Sequence, residues 1–259
     1  MRYILFFFFL FLLSCNKNET TTPQNTNKVT KITQLNSNYK DYSGRPQSVY
    51  EYDKSTGLLS LQTVSFYGYT EKTLYKPTYT NGHLVKLQLG KIISSTATPL
   101  YETISELTYD SKGRLIKNLS TEKRVEVFEY NTTDTKPVKV TITDNGKLFD
   151  VSQLKWVNEN LMEVKHYGNN NTLSGSETYK YDTYPNFQQL ISKEYYIHGS
   201  NSLASYFSKN NIIEEATTGI PFVKPVIKHK YTYNSQNLPV KILMEDYKDN
   251  LFYGIEIVY

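Results

Sequence analysis

Leu107-Thr108-Tyr109-Asp110-Ser111-Lys112-Gly113-Arg114-Leu115-Ile116-Lys117 carries the reading of the fold. An apolar residue and an aromatic flank one polar position, as on a pleated strand with one buried face. Asp110 follows, and a carboxylate there can accept hydrogen bonds from the backbone two residues on and start a turn. Gly113 supplies a residue that tolerates positive φ, and Leu115-Ile116-Lys117 opens the return strand. The first half returns as Tyr50-Glu51-Tyr52-Asp53, Phe128-Glu129-Tyr130-Asn131, Tyr179-Lys180-Tyr181-Asp182 and Tyr231-Thr232-Tyr233-Asn234. Leu154-Lys155-Trp156 and Thr78-Tyr79 are looser copies, with Asn158 and Asn81 in the turn. The second half returns as Leu84-Val85-Lys86, Pro137-Val138-Lys139 and Pro239-Val240-Lys241, whereas Leu58-Leu59-Ser60 and Leu161-Met162-Glu163 lack the lysine.

The motif aromatics at 52, 79, 109, 130, 156 and 181 are 21 to 30 residues apart, followed by a gap of 52 to Tyr233. A fixed period of this kind marks a repeat architecture. Gly57, Gly82, Gly113 and Gly146, with Asn160 and Asn237, are the residues expected at positive φ in the turns. The pattern predicts an all-β chain: a long antiparallel meander of roughly twelve to fifteen strands, curved or closed into a barrel-like sheet. The rhythm blurs from Pro185-Asn186-Phe187 to Thr218, near residues 185–218. Ser202 to Asn211 there suits a helical turn or two, with Ser202 as N-cap and Asn210-Asn211 as the stop. This short irregular or helical insert accounts for the long gap.

Ahead of the repeats, Met1-Arg2-Tyr3 is a positive start to the apolar run Ile4 to Leu13, closed by Ser14-Cys15. The run is too short to span the roughly 30 Å hydrocarbon core as a helix, and it fits a secretory signal. Leu12-Leu13-Ser14-Cys15 resembles the lipobox of bacterial lipoproteins. That resemblance implies a signal peptide over 1–14, cleavage before Cys15 and lipid attachment to Cys15, with several acyl chains giving stable anchoring. Residues 15–27 contain no large apolar side chain after the cysteine and are expected to form a flexible tether. The domain is then 28–259. Asn16 is not the aspartate that retains some lipoproteins at the inner membrane, so the resemblance implies the outer membrane, on its periplasmic or its cell-surface side.

Tyr109-Asp110-Ser111-Lys112-Gly113-Arg114-Leu115 is also close to the Tyr-Asp repeat of Rhs-type shell proteins. Lipobox, degenerate repeats and the Asn-Phe … Ser-Lys-Asn-Asn insert together resemble a Bacteroidetes lipoprotein family, a domain of unknown function with a porin-like fold. The resemblance implies a strongly curved or closed meander and supplies no catalytic residue. The alternation that ends at Tyr259 resembles the C-terminal signal of outer-membrane barrels. A membrane strand, however, needs about 9–11 residues with one continuously apolar face. Arg124-Val125-Glu126-Val127-Phe128-Glu129 and Lys228-His229-Lys230-Tyr231 interrupt such a face with charge. A sheet closed around its own side chains is the expectation.

Composition narrows the function. The chain of 259 residues has 29 Lys and Arg against 25 Asp and Glu, 24 Tyr, 12 Phe, one Trp and one Cys. It is too rich in apolar and aromatic residues for a disordered chain. A net charge of +4 without a basic block does not indicate nucleic acid, and a single Cys excludes a disulfide framework. His83, His166, His198 and His229 show no metal-ligand spacing, and neither HExxH nor Gly-x-Ser-x-Gly occurs. Carboxylate neighbours such as Glu214-Glu215 and Glu245-Asp246 are as frequent as 25 acids would give by chance, and a glycosidase pair is a tertiary property.

No catalytic residue, metal or cofactor is therefore assigned. The expected function is a non-catalytic binding or scaffold role in the envelope, with a polysaccharide or an envelope protein as partner. A periplasmic glycan-processing enzyme and an integral outer-membrane barrel are the alternatives. Tyr195, Tyr196, Tyr206 and Phe207 in the insert are candidate ligand-binding aromatics. Lys86, Lys117, Lys139 and Lys241 share one repeat position. They would form a column about 10 Å apart able to meet an anionic glycan, or else a solvated face.

Overall fold

The computed structural model describes residues 28–35, 46–66, 69–93, 98–192, 203–220, 225–246 and 251–259. The signal and tether expected over 1–27, Cys15 included, lie outside them. The first eight strands are β1 (Lys31–Leu35), β2 (Pro46–Tyr52), β3 (Leu59–Phe66), β4 (Lys72–Thr80), β5 (His83–Ile92), β6 (Tyr101–Tyr109), β7 (Leu115–Ser120) and β8 (Arg124–Glu129). Next come β9 (Lys139–Asp144), β10 (Lys147–Val157), β11 (Asn160–Tyr167) and β12 (Leu173–Pro185). Two short helices follow, α1 (Gln188–Ile191) and α2 (Leu203–Phe207). The chain ends with β13 (Asn210–Thr218), β14 (Val226–Tyr233), β15 (Pro239–Asp246) and β16 (Leu251–Val258).

Every strand pairs antiparallel with its neighbours in sequence, and β1 pairs with β16, so the meander closes into a sixteen-stranded barrel. Closure removes the sheet edges that otherwise template aggregation. The strands exceed the expected number by one. Asn210 and Asn211, expected to stop a helix, instead start β13, so the irregular segment is shorter than 185–218.

The turns form largely as the residue types dictate. Asp110 accepts from the backbone N–H of Lys112 and Arg114, both at 2.9 Å, and its second oxygen accepts from Arg114 Nε at 2.8 Å. Asn234 caps its turn in the same way through Gln236 and Leu238. Between β4 and β5, Asn81 and Gly82 both take positive φ, as a two-residue hairpin turn requires. Asn160 does not. It begins β11, and the turn before it is made by Asn158 and Glu159 at φ of 49° and 65°.

Strand alternation sorts side chains into two walls. Leu107, Phe128, Leu154, Tyr179 and Ile257 point into the barrel and join one buried cluster with Leu84, Leu115, Leu161 and Ile242. The outer wall carries cross-strand ion pairs: Lys86 with Glu106 at 4.0 Å, Lys139 with Glu129 at 2.8 Å, and Lys180 with Glu214 at 2.8 Å. Exposed Leu119 and Val127 stand on this wall beside Lys117. Apolar residues thus fill the lumen, and ion pairs stand on the outer wall among exposed apolar residues.

Sixteen strands enclose a lumen wider than wall side chains fill alone. The insert closes one end of it. Phe187, Ile191 and Ala204 are buried in the core cluster. The Phe207 ring lies 6.2 Å from that of Phe128 on β8 and 6.5 Å from that of Trp156 on β10. Asn186 holds the insert, its Nδ2 donating to the carbonyls of Ser205 (2.6 Å) and Ser208 (3.0 Å).

Around the same end runs a ring of side-chain donors. Tyr52 donates to the carbonyl of Val29 at 2.7 Å, Tyr109 to Leu84 at 2.9 Å, and Tyr130 to Leu115 at 2.8 Å. Trp156 donates to Pro137 at 2.6 Å, Tyr181 to Leu161 at 2.5 Å, Tyr231 to Ile212 at 2.8 Å and Tyr259 to Pro239 at 3.0 Å. In five of the seven bonds the aromatic grips the Leu or Pro that opens a preceding return segment, and Tyr52 and Tyr231 grip Val29 and Ile212 instead. Burial raises the phenol pKa of Tyr130 to about 12, more than nearby Arg114 lowers it, so the hydroxyl stays a donor.

Candidate functional site

Two residues before the inward apolar or aromatic position, six of the repeats place a polar residue in a second inward layer: Ser48, Ser105, Glu126, Ser152, Glu177 and His229. Adjacent strands bring these residues into contact. Ser105 Oγ donates to Asn118 Oδ1, and Asn118 Nδ2 donates to Glu126 Oε2 at 3.2 Å. His229 Nε2 meets Glu215 Oε1 at 2.6 Å.

From β8 to β12 this layer borders a cavity of about 370 Å³. Its polar lining is Arg124, Glu126, Asp150, Ser152, His166, Glu177 and the exposed Ser174, and its apolar lining includes Val164, Leu203 and Ile220. Leu203 belongs to α2, so the insert that closes the barrel end also supplies part of the cavity wall. The volume lies within the range of small-molecule pockets.

His166 is the hub. Its Nδ1 is 3.2 Å from both Asp150 Oδ2 and Ser152 Oγ, and Ser152 Oγ donates to the same Asp150 oxygen at 2.6 Å. Its Nε2 lies 3.5 Å from Glu177 Oε1, an ion-pair distance too long for a well-formed hydrogen bond. Glu177 Oε2 accepts from the Tyr179 hydroxyl. Burial alone would lower the imidazole pKa, but Asp150 and Glu177 outweigh it and raise it to about 9. Burial likewise opposes ionisation of the two carboxylates, yet the imidazolium holds both below their usual range. Arg124 Nε lies 3.5 Å from Glu126 Oε1, and its guanidinium sits 5.6 Å from the Phe149 ring centroid.

The arrangement presents fixed charges and hydroxyls to a polar guest. It is not a nucleophilic relay, because Ser152 and Asp150 address the same ring nitrogen whereas a triad uses both. Among the described residues, no group of three or more His, Cys, Asp or Glu could hold a metal ion.

The residues singled out in the sequence lie elsewhere. Tyr206 and Phe207 are half-buried and pack on the core as part of the closing insert. Tyr195 and Tyr196 are outside the described residues. Lys86, Lys117, Lys139 and Lys241 do share the outer wall, but acids interleave them. Glu106 and Glu129 pair with Lys86 and Lys139, and Glu256 stands opposite Lys241 in the ladder. Lys117 stands between Thr108 and Val127. Acids thus face three of the four lysines and neutral residues the fourth, so the row is not a continuous cationic track. Glu214 and Glu215 face opposite walls, toward Lys180 and His229.

The chain is similar to a porin-like protein from Bacteroides uniformis, at 13% identity over 89% of this chain and 97% of that one, with a TM-score of 0.49. It is also similar to a porin-like protein from Bacteroides vulgatus, at 12% identity over 90% and 98%, with a TM-score of 0.44. A Photorhabdus luminescens Tc holotoxin pore matches over 81% of this chain but 9% of its own length, at 13% identity and a TM-score of 0.35. No protein-family model matches the chain, and no curated protein does.

Proposed function

We propose that this chain is a lipid-anchored binding module of the bacterial outer membrane that holds a small sugar or glycan terminus inside its barrel. One observation carries the reading: a cavity of about 370 Å³, lined by fixed charges and hydroxyls, lies inside a barrel whose outer wall is charged. A cavity of this size favours a small polar guest over a folded protein partner.

The role is binding, not turnover. A glycosidase needs a carboxylic acid kept neutral by a raised pKa. Asp150 and Glu177 are shifted the other way. Anchoring rests on Cys15, and Cys15→Ala abolishes fatty-acid labelling under this reading.

The test is a thermal-shift screen of residues 28–259, which contain every strand and both helices, against neutral, cationic and anionic sugars. A ligand at one hundred times its Kd stabilises by about 2.7 kcal/mol. Ser174→Trp places a bulky ring at the exposed rim of the cavity and abolishes that shift while the barrel remains folded. Folded protein that no sugar stabilises contradicts the reading.

A further inference from the structure

The lining residues do not balance in charge. Three carboxylates, Glu126, Asp150 and Glu177, face one guanidinium, Arg124, and one imidazole, His166. Arg124 is taken by Glu126 at 3.5 Å and His166 Nδ1 by Asp150 at 3.2 Å. Glu177 is left with a neutral hydroxyl from Tyr179 and a His166 nitrogen at 3.5 Å. Even with the imidazole protonated, the cavity carries one surplus negative charge. Water screens part of that charge, since the Glu177 side chain is 30% exposed, and a cation seated beside it would complete the pairing.

His166 Nε2 points the same way. It is a buried nitrogen with no hydrogen-bond partner, so the space beside Glu177 lacks a hydrogen-bonding oxygen and a cation of Glu177's own, the one imidazolium being shared with Asp150. A guest with an ammonium group next to a hydroxyl supplies both. The Ser152 hydroxyl and the Arg124 guanidinium add polar partners, and Val164 and Ile220 offer an apolar wall to the C–H face of a ring.

We propose that the lumen selects a protonated amino sugar, its ammonium group paired with Glu177 and an adjacent hydroxyl set against His166 Nε2. The inference rests on the reading of the cavity as a sugar site and adds the charge of the sugar. An anionic sugar would increase the surplus and is rejected. A neutral N-acetylated sugar keeps the hydroxyls and loses the compensation.

Calorimetric titration of residues 28–259 at neutral pH with glucosamine, N-acetylglucosamine, glucuronate and ethanolamine tests this. Glucosamine is expected to bind at least roughly tenfold tighter than N-acetylglucosamine, a difference of about 1.4 kcal/mol, and glucuronate is expected not to bind. Glu177→Gln, which keeps the shape and removes the charge, should bring that preference close to one. Circular dichroism confirms that the variant is folded, and Asp150→Asn, which also removes one negative charge, serves if it is not. N-acetylglucosamine binding as tightly as glucosamine overturns the charge selection and leaves the sugar site standing. Ethanolamine binding as tightly as glucosamine overturns the sugar site and leaves the surplus charge standing. Folded protein that binds none of the four overturns both.

Discussion

The Tyr109 hydroxyl donates to the carbonyl of Leu84, twenty-five residues earlier, at 2.9 Å. The two residues are the aromatic of one repeat and the leucine near the start of the previous return strand, β5. Repetition of this bond makes the sequence motif a structural device. Each new hairpin is clipped to the last at the end of the barrel where the core is apolar.

Tyr109→Phe keeps the ring and removes the donor. A net loss of about 1 kcal/mol is expected for one such bond, which lowers the melting temperature by about 2–4 °C in a domain of this size. Differential scanning calorimetry reads the change.

Tyr259 gives a sharper case, because an aromatic last residue also resembles an outer-membrane assembly signal. In the barrel its ring packs on the core and its hydroxyl donates to Pro239 at 3.0 Å, as the last member of the ring of donors. Tyr259→Phe would preserve an assembly signal. The clip predicts instead a stability loss of about 1 kcal/mol, read by urea unfolding. An unchanged midpoint would remove Tyr259 from the ring of donors.

The His166 cluster sets a pH dependence. Burial lowers the pKa of the ring, but Asp150 and Glu177 raise it further, from 6.5 to about 9 in the folded state. Below 6.5 the ring is protonated folded or unfolded, and its stabilisation is fully present. As pH rises through about 9 the folded ring loses its proton and the stabilisation goes. Asp150 and Glu177 run oppositely: their contribution is present above the ordinary carboxylate range and is lost as pH falls through their lowered values. Unfolding free energy should therefore decline between pH 6.5 and 9. His166→Gln should flatten that slope, as urea titrations across the range would show.

The insert depends on Asn186, which is 4% exposed. Its side chain donates to two carbonyls and accepts from the Gln188 backbone N–H at 3.0 Å. Asn186→Ala removes all three bonds, and about 2–4 kcal/mol is expected at roughly 1 kcal/mol each. Chemical denaturation measures the cost, and proteolysis between α1 and α2 should accelerate.

Most of the wall was legible from the repeats, because alternation, turn residues and period act over a few neighbouring positions. Tyr109 and Leu84 were both visible as motif residues, yet the bond between them depends on the register of β5 against β6, which the motif alone does not give. Strand β13 was missed because Asn210-Asn211 resembles a helix stop. In the barrel Asn211 donates its amide to the Asp182 carboxylate at 3.1 Å and accepts from the Phe187 backbone N–H at 3.0 Å. The cavity was the least legible part. Asp150, Ser152, His166 and Glu177 sit on three different strands and resemble ordinary polar strand residues. One signal was available: aligning the repeats on Leu107, Phe128, Leu154 and Tyr179 places Ser105, Glu126, Ser152 and Glu177 in register two residues earlier, on the same wall.

The central claim is that the barrel buries its apolar residues in the lumen and turns a charged wall to water. Residues 28–259 expressed without detergent test it directly, by sedimentation and circular dichroism on one sample. The account predicts a monodisperse, β-rich species that unfolds cooperatively. A chain that aggregates in buffer and folds only in micelles or lipid bilayers would contradict it, and would place the outer wall against lipid.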